Sequence, residues 1–276
     1  MNNKDPGPTG NHAAGGQSDA TQTIVTDADG LVEGSIDIPT ADGRMPGYRA
    51  RPDSGGPAPV VVVVHEIFGL HAYIQDLCRR LAKSGYLAIA PDLYQRQGDV
   101  SRIAEITDII DRVVMQVPDD QVLADLDAAV AWAKDSGEGD TARLAITGFC
   151  WGGRFVWLYS AHNRALSAGA AWYGRLAAVG PGVMSEIGKG RSYPLDIANQ
   201  LHAPVLGLYG EKDMSIPLVT VDEMREKLNS ANDPSEIIVY SGANHGFQAD
   251  YRAALYHKEA AEDGWRRMLE WFEKYV

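Results

Sequence analysis

The sequence predicts an α/β domain with a mostly parallel central sheet, helices on both faces and an antiparallel hairpin at its N-terminal edge. Three observations predict it. The run Val60 to Val64 has the unbroken β-branched character of a strand buried on both faces. Downstream, short apolar runs alternate with amphipathic stretches of helical period, the pattern of βαβ units. Upstream, two segments of strand-like alternation flank a single turn signal.

The hairpin comes first. Its arms lie around Gly34 to Ile38 and Gly47 to Arg51, with Ala41-Asp42-Gly43 as the turn, and the loop Pro52 to Pro57 closes it. Pro59 to Val64 follows as a central strand. Then come a helix over Ala72 to Ser84, a strand over Tyr86 to Ala90, helices near Ile103 to Met115 and Asp119 to Lys134, and a strand over Leu144 to Thr147. The second half continues with a helix over Gly152 to His162, strands over Gly169 to Tyr173 and Val205 to Tyr209, a helix over Leu218 to Asn229, a strand over Glu236 to Tyr240, and a final amphipathic helix ending near Tyr275. Gly180 to Gln200 has Gly, Pro and little periodicity, so a long loop over the top of the sheet is expected there. There is no internal repeat. Residues 1–30, rich in Gly, Asn, Asp, Thr and Ala, read as a flexible tail ahead of a single domain spanning 31–276.

Composition narrows the function. A formal charge of −12 disfavours nucleic acid and anionic membrane as partners, which leaves small molecules. No apolar stretch approaches the roughly 18 residues of a membrane span, and no basic, apolar leader opens the chain. Cys78 and Cys150 are too few for a disulfide framework and lack the paired spacing of a zinc site, so a reducing, cytoplasmic setting is expected. No motif bears on oligomeric state.

One cysteine has chemistry written around it. Gly148-Phe149-Cys150-Trp151-Gly152-Gly153 lies between a strand and a helix, in the G-x-nucleophile-x-G arrangement whose glycines let the chain turn sharply. The helix N-terminus that follows favours negative charge on sulfur. A structural cysteine in a tight turn is the alternative. Cys78 has no such surroundings and reads as a small core hydrophobe.

The acid and the base follow in chain order. Val205 to Tyr209 runs into Gly210-Glu211-Lys212-Asp213, and Ile237 to Tyr240 runs into Ser241-Gly242-Ala243-Asn244-His245-Gly246-Phe247. Alone, Asp213 could be a turn residue and His245 a solvated bystander. The order nucleophile, acid, histidine, each at a strand end, is that of an α/β-hydrolase. His245 would move the proton, and Asp213 would hold its tautomer. The oxyanion hole is expected from the backbone N–H of Trp151 and that of Ile67, on the loop leaving the valine strand. His65 and His71 on that loop are six residues apart, too far to bind a metal from one helical face, so no metal site is expected.

From about Gly34 onward the chain resembles the dienelactone hydrolase family. The resemblance rests on His65-Glu66-Ile67-Phe68-Gly69, Ala90-Pro91-Asp92-Leu93-Tyr94, Gly148 to Gly153, Gly210 to Asp213 and His245-Gly246-Phe247. It implies hydrolysis of a small ester or lactone through an acyl-thioester on Cys150, without a cofactor. It also implies that Glu66 lies close to the thiol and opposes its ionisation until substrate displaces it. Family members that act on dienelactone hold its carboxylate with arginines, one of them shortly after the histidine. Here the stretch is Gln248-Ala249-Asp250-Tyr251-Arg252, so an arginine is near but off the expected step, and Arg96 and Arg102 are other candidates. A thioesterase or peptidase of the same fold, or a non-catalytic binding protein on the same scaffold, are the competing readings. The intact set Cys150, Asp213 and His245 argues against the last.

Overall fold

The computed structural model describes residues 23–178 and 191–276. Their eight strands form one sheet in the order β1-β2-β4-β3-β5-β6-β7-β8. β1 (Leu31–Thr40) and β2 (Gly43–Pro52) make an antiparallel hairpin in which Thr40 pairs with Gly43, leaving a two-residue turn at Ala41 and Asp42. β3 (Ala58–Val64), β4 (Leu87–Pro91), β5 (Gly139–Phe149), β6 (Ala168–Trp172), β7 (Val205–Gly210) and β8 (Glu236–Tyr240) pair in parallel, and β2 joins them antiparallel through β4.

Val60 to Val64 are each fully buried. Successive strand residues face opposite sides of a sheet, so both faces of β3 are covered. The helices supply the cover: α1 (Ala72–Lys83), α2 (Ile106–Arg112), α3 (Asp119–Asp135), α4 (Trp151–His162), α5 (Leu218–Ser230) and α6 (Lys258–Tyr275). α1 and α6 are strongly amphipathic, whereas α4 is buried along nearly its whole length. Cys78 lies fully buried on α1, where burial pushes its thiol far above the ordinary range; such a thiol is inert.

Beyond shifts in where elements begin and end, two segments differ from the sequence expectation. Of the expected loop at 180–200, residues 180–190 lie outside the described residues, and the remainder holds a helical turn, Pro194–Ile197, closed by reciprocal hydrogen bonds between Tyr193 and Asp196. Of the expected tail, residues 1–22 also lie outside, but Thr23 to Gly30 lead straight into β1 and are tied to α1. The Thr26 N–H donates to Asp76 at 2.6 Å, Arg79 donates to the Thr26 carbonyl at 2.9 Å, and Lys83 pairs with Asp27 at 2.6 Å. Polar, glycine-rich composition hid this segment because its anchor is a set of ionic partners on a distant helix rather than apolar burial.

Candidate active site

The strand ends of β3, β5, β6, β7 and β8 open on one cavity of about 460 Å³. Cys150 stands in it at the junction of β5 and α4, with φ +55° and ψ −113°, values that fit neither element and are rare in a residue with a side chain. Neighbouring backbone holds the turn. The Cys150 N–H donates to the Trp172 carbonyl at 2.9 Å, and its own carbonyl accepts from the Arg154 N–H at 3.3 Å. The flanking glycines are steric necessities: a Cβ on Gly148 would lie 2.4 Å from the Gly152 carbonyl oxygen, and one on Gly152 2.4 Å from that of Val64.

Asp213 and His245 come from two loops fastened to each other. The Glu211 N–H donates to the Tyr240 carbonyl and the Lys212 N–H to that of Ala243, both at 2.9 Å. This brings the buried Asp213 Oδ2 to 2.7 Å from His245 Nδ1, while Asp213 Oδ1 accepts the Ser215 N–H at 2.8 Å. The partly exposed His245 ring and the Cys150 sulfur share the cavity, near enough for negative charge on sulfur to raise the proton affinity of the ring. Burial alone would lower the proton affinity of the imidazole; the Cys150 sulfur and the Asp213 carboxylate outweigh it and hold the ring well above its ordinary range. Asp213 and His245 thus form a hydrogen-bonded pair at the cavity that holds Cys150.

The β3 loop closes the other side. His65 is fully buried, with Nδ1 2.7 Å from the Glu66 carbonyl and Nε2 3.2 Å from the Leu93 N–H. Since the amide can only donate, Nε2 accepts and Nδ1 carries the proton that goes to Glu66. Burial keeps the ring neutral, with a pKa lowered to about 4. Stacked on Trp151 at 5.5 Å, His65 is a brace between the two segments that carry Ile67 and Trp151, and both its nitrogens are spent on backbone. Trp151 opens α4, so its N–H has no carbonyl one turn back to receive it.

Glu66 is buried beneath this loop and accepts the Tyr251 hydroxyl at 2.9 Å. Burial raises its pKa; Tyr251, Arg252 and His245 act against the rise. Arg252 lies on the cavity wall with its guanidinium 5.2 Å from the Phe68 ring centre. The other arginines singled out from sequence are elsewhere. Arg96 is held between Asp42 and Asp125, and Arg102 is exposed and paired with Asp99; neither lines the cavity. The cations that do line it besides Arg252 are Arg154, Arg175, Arg191 and Lys212. Sequence reading missed them because their orientation depends on long-range partners: Arg154 on α4 and Arg191 both close on Asp119 at the start of α3. Apolar groups from α2 and beyond, among them Ile106, Ile110 and Ile216, complete the wall.

Residues 45–276 match the model of the dienelactone hydrolase family. This chain belongs to that family. Dienelactone hydrolase relatives include a Methylorubrum extorquens protein named "Putative carboxymethylenebutenolidase", 54% identical over 256 residues that cover 93% of this chain and 86% of that one. A Bradyrhizobium protein named "Probable 2-oxo-3-(5-oxofuran-2-ylidene)propanoate lactonase" is 31% identical, covering 91% and 94% of the two chains. Among solved structures, a Klebsiella pneumoniae dienelactone hydrolase described as putative is 54% identical, with a TM-score of 0.83 over 89% of this chain and 99% of that one. The chain is therefore an α/β-hydrolase-fold enzyme of the dienelactone hydrolase family.

Proposed function

We propose that this hydrolase cleaves small esters or lactones through an acyl-thioester on Cys150, with His245 moving the proton, Asp213 orienting His245, and the N–H groups of Trp151 and Ile67 receiving the oxyanion. The observation that carries the reading is the Asp213–His245 pair, joined at 2.7 Å, with the His245 ring and Cys150 lining one cavity. In acylation, His245 takes the thiol proton as sulfur bonds to the carbonyl carbon, and charge builds on the carbonyl oxygen beside the two amides. The tetrahedral species then breaks its carbon–oxygen bond. His245 gives its proton to the departing alkoxide or enolate, leaving the thioester. Deacylation repeats the sequence with water as nucleophile, releasing the acid and restoring the thiol.

The names carried by the relatives fit a lactone substrate. Arg252, on the wall over Phe68, supplies a cation for an acidic one. A panel of p-nitrophenyl esters, lactones and thioesters, with Cys150→Ala as blank, tests the reading. Turnover of esters or lactones by the wild type and none by the variant is expected. Unchanged turnover by the variant contradicts the mechanism, preference for thioesters favours the thioesterase reading, and a wild type inert on every member favours a binding protein.

A further inference from the structure

Glu66 is buried, and a carboxyl group taken out of water keeps its charge only where donors or cations meet it. Among the described residues its side chain has one hydrogen-bond donor, the Tyr251 hydroxyl, at 2.9 Å from Oε2. The chemistry above makes no use of this phenol, yet the fold fixes it closely. The segment after β8 is tied to α1 at two points: the Tyr73 hydroxyl donates to the Gln248 carbonyl at 2.8 Å, and Arg80 pairs with Asp250 at 2.7 Å. Next to these ties the Tyr251 ring packs on Tyr73, with ring centres 4.7 Å apart, and on His71 at 5.3 Å. Phenylalanine would make the same ring contacts, so what the hydroxyl adds is its bond to Glu66. Burial and the neighbouring carboxylate keep the phenol protonated; it donates and Glu66 accepts.

Other groups act on Glu66 from several elements. Arg252 and His245, from the same segment as Tyr251, favour its charge through space. Tyr73 of α1 and Tyr173 beyond β6 stand in its field as phenols kept protonated by burial, and His71, at the N-terminus of α1, is kept neutral by burial with a pKa lowered to about 4. Burial opposes the charge, and the Tyr251 bond is the foremost of the influences that sustain it. Resting on the reading of Cys150 as a reactive thiol that an ionised Glu66 opposes, we infer that the Tyr251 hydroxyl is a positioning group that holds Glu66 as a carboxylate in the cavity it shares with Cys150, and so sets how strongly Glu66 restrains the thiol.

Removing the donor withdraws support from the charged form of Glu66, so its ionisation moves to higher pH. Iodoacetamide labelling of the peptide containing Cys150, followed against pH in the wild type, Glu66→Gln, Tyr251→Phe and the double variant, reads that movement. With Tyr251 in place, the labelling rate of Glu66→Gln divided by that of the wild type should climb from one as Glu66 ionises. In the Tyr251→Phe background, the rate of the double variant divided by that of the single should climb likewise, with its midpoint roughly one to two pH units higher, the scale of one hydrogen bond to a charged group. Each ratio compares forms that share residue 251, so a change in access to sulfur from a loosened loop cancels.

Coincident midpoints, or a lower one in the Tyr251→Phe background, overturn the role of Tyr251 and leave the restraint by Glu66 standing. A ratio of one at every pH with Tyr251 present removes that restraint, and the role of Tyr251 with it. Absence of label from Cys150 in all four forms removes the reactive thiol itself.

Discussion

At residue 150 the chain adopts a backbone conformation that costs on the order of 1–3 kcal/mol outside glycine, and the surrounding glycines and the bond to Trp172 sustain it. The outcome is a sulfur delivered to the same cavity as a buried carboxylate, Glu66. An ionised Glu66 opposes negative charge on sulfur, whereas burial pushes Glu66 toward its protonated form as pH falls. Iodoacetamide should therefore label Cys150 faster in Glu66→Gln than in the wild type, by a margin that widens as pH rises through the raised pKa of Glu66. Equal labelling at every pH would release Glu66 from this role. Cys150, Asp213 and His245 could be read from the sequence because each follows a strand run at a fixed step. Tyr251 could not: it belongs to no motif, and what singles it out is a hydrogen bond across 185 residues.

At the scale of elements, strand identity was legible wherever β-branched runs were buried, and boundaries moved where pairing rather than composition decided them. β5 begins at Gly139, not Leu144, because Ala58 and Pro59 of β3 pair with Gly139 and Asp140 before the register shifts. The segment Thr23 to Gly30 was illegible for a related reason: its ionic anchor lies on α1. Asp76 is the keystone of that anchor, buried and accepting from Thr26, Arg79 and Arg80, the last of which also reaches Asp250 at 2.7 Å. Asp250 precedes the Tyr251 that holds Glu66. Asp76→Ala strands Arg80 with one buried partner fewer, and a loss of about 3–5 kcal/mol in urea unfolding is expected. A loss under about 1 kcal/mol would show that the anchor contributes little.

The whole molecule depends on histidines kept neutral inside it. His65 and His71 both have pKa values lowered to about 4 by burial, against 6.5 in the unfolded chain. Between those values the unfolded state binds more protons than the folded one, so this contribution is complete above pH 6.5 and drains away as pH falls toward 4. Each histidine accounts for roughly 3 kcal/mol of acid sensitivity. Urea midpoints measured from pH 7 to pH 4 should fall less steeply in His65→Gln than in the wild type, and parallel slopes would contradict the assignment. The same buried His65 joins the segments on either side of the thiol, so loss of tertiary order in acid and loss of esterase activity should coincide.

Every role assigned to the cavity depends on sulfur forming the bond to the acyl group. Rapid acid quench of the enzyme during turnover of p-nitrophenyl acetate, followed by peptide mass spectrometry, tests this directly. An acetyl group on the peptide containing Cys150, absent from Cys150→Ser and discharged by hydroxylamine, is the predicted result; acetyl on any other residue, with Cys150 unmodified while product accumulates, would contradict it.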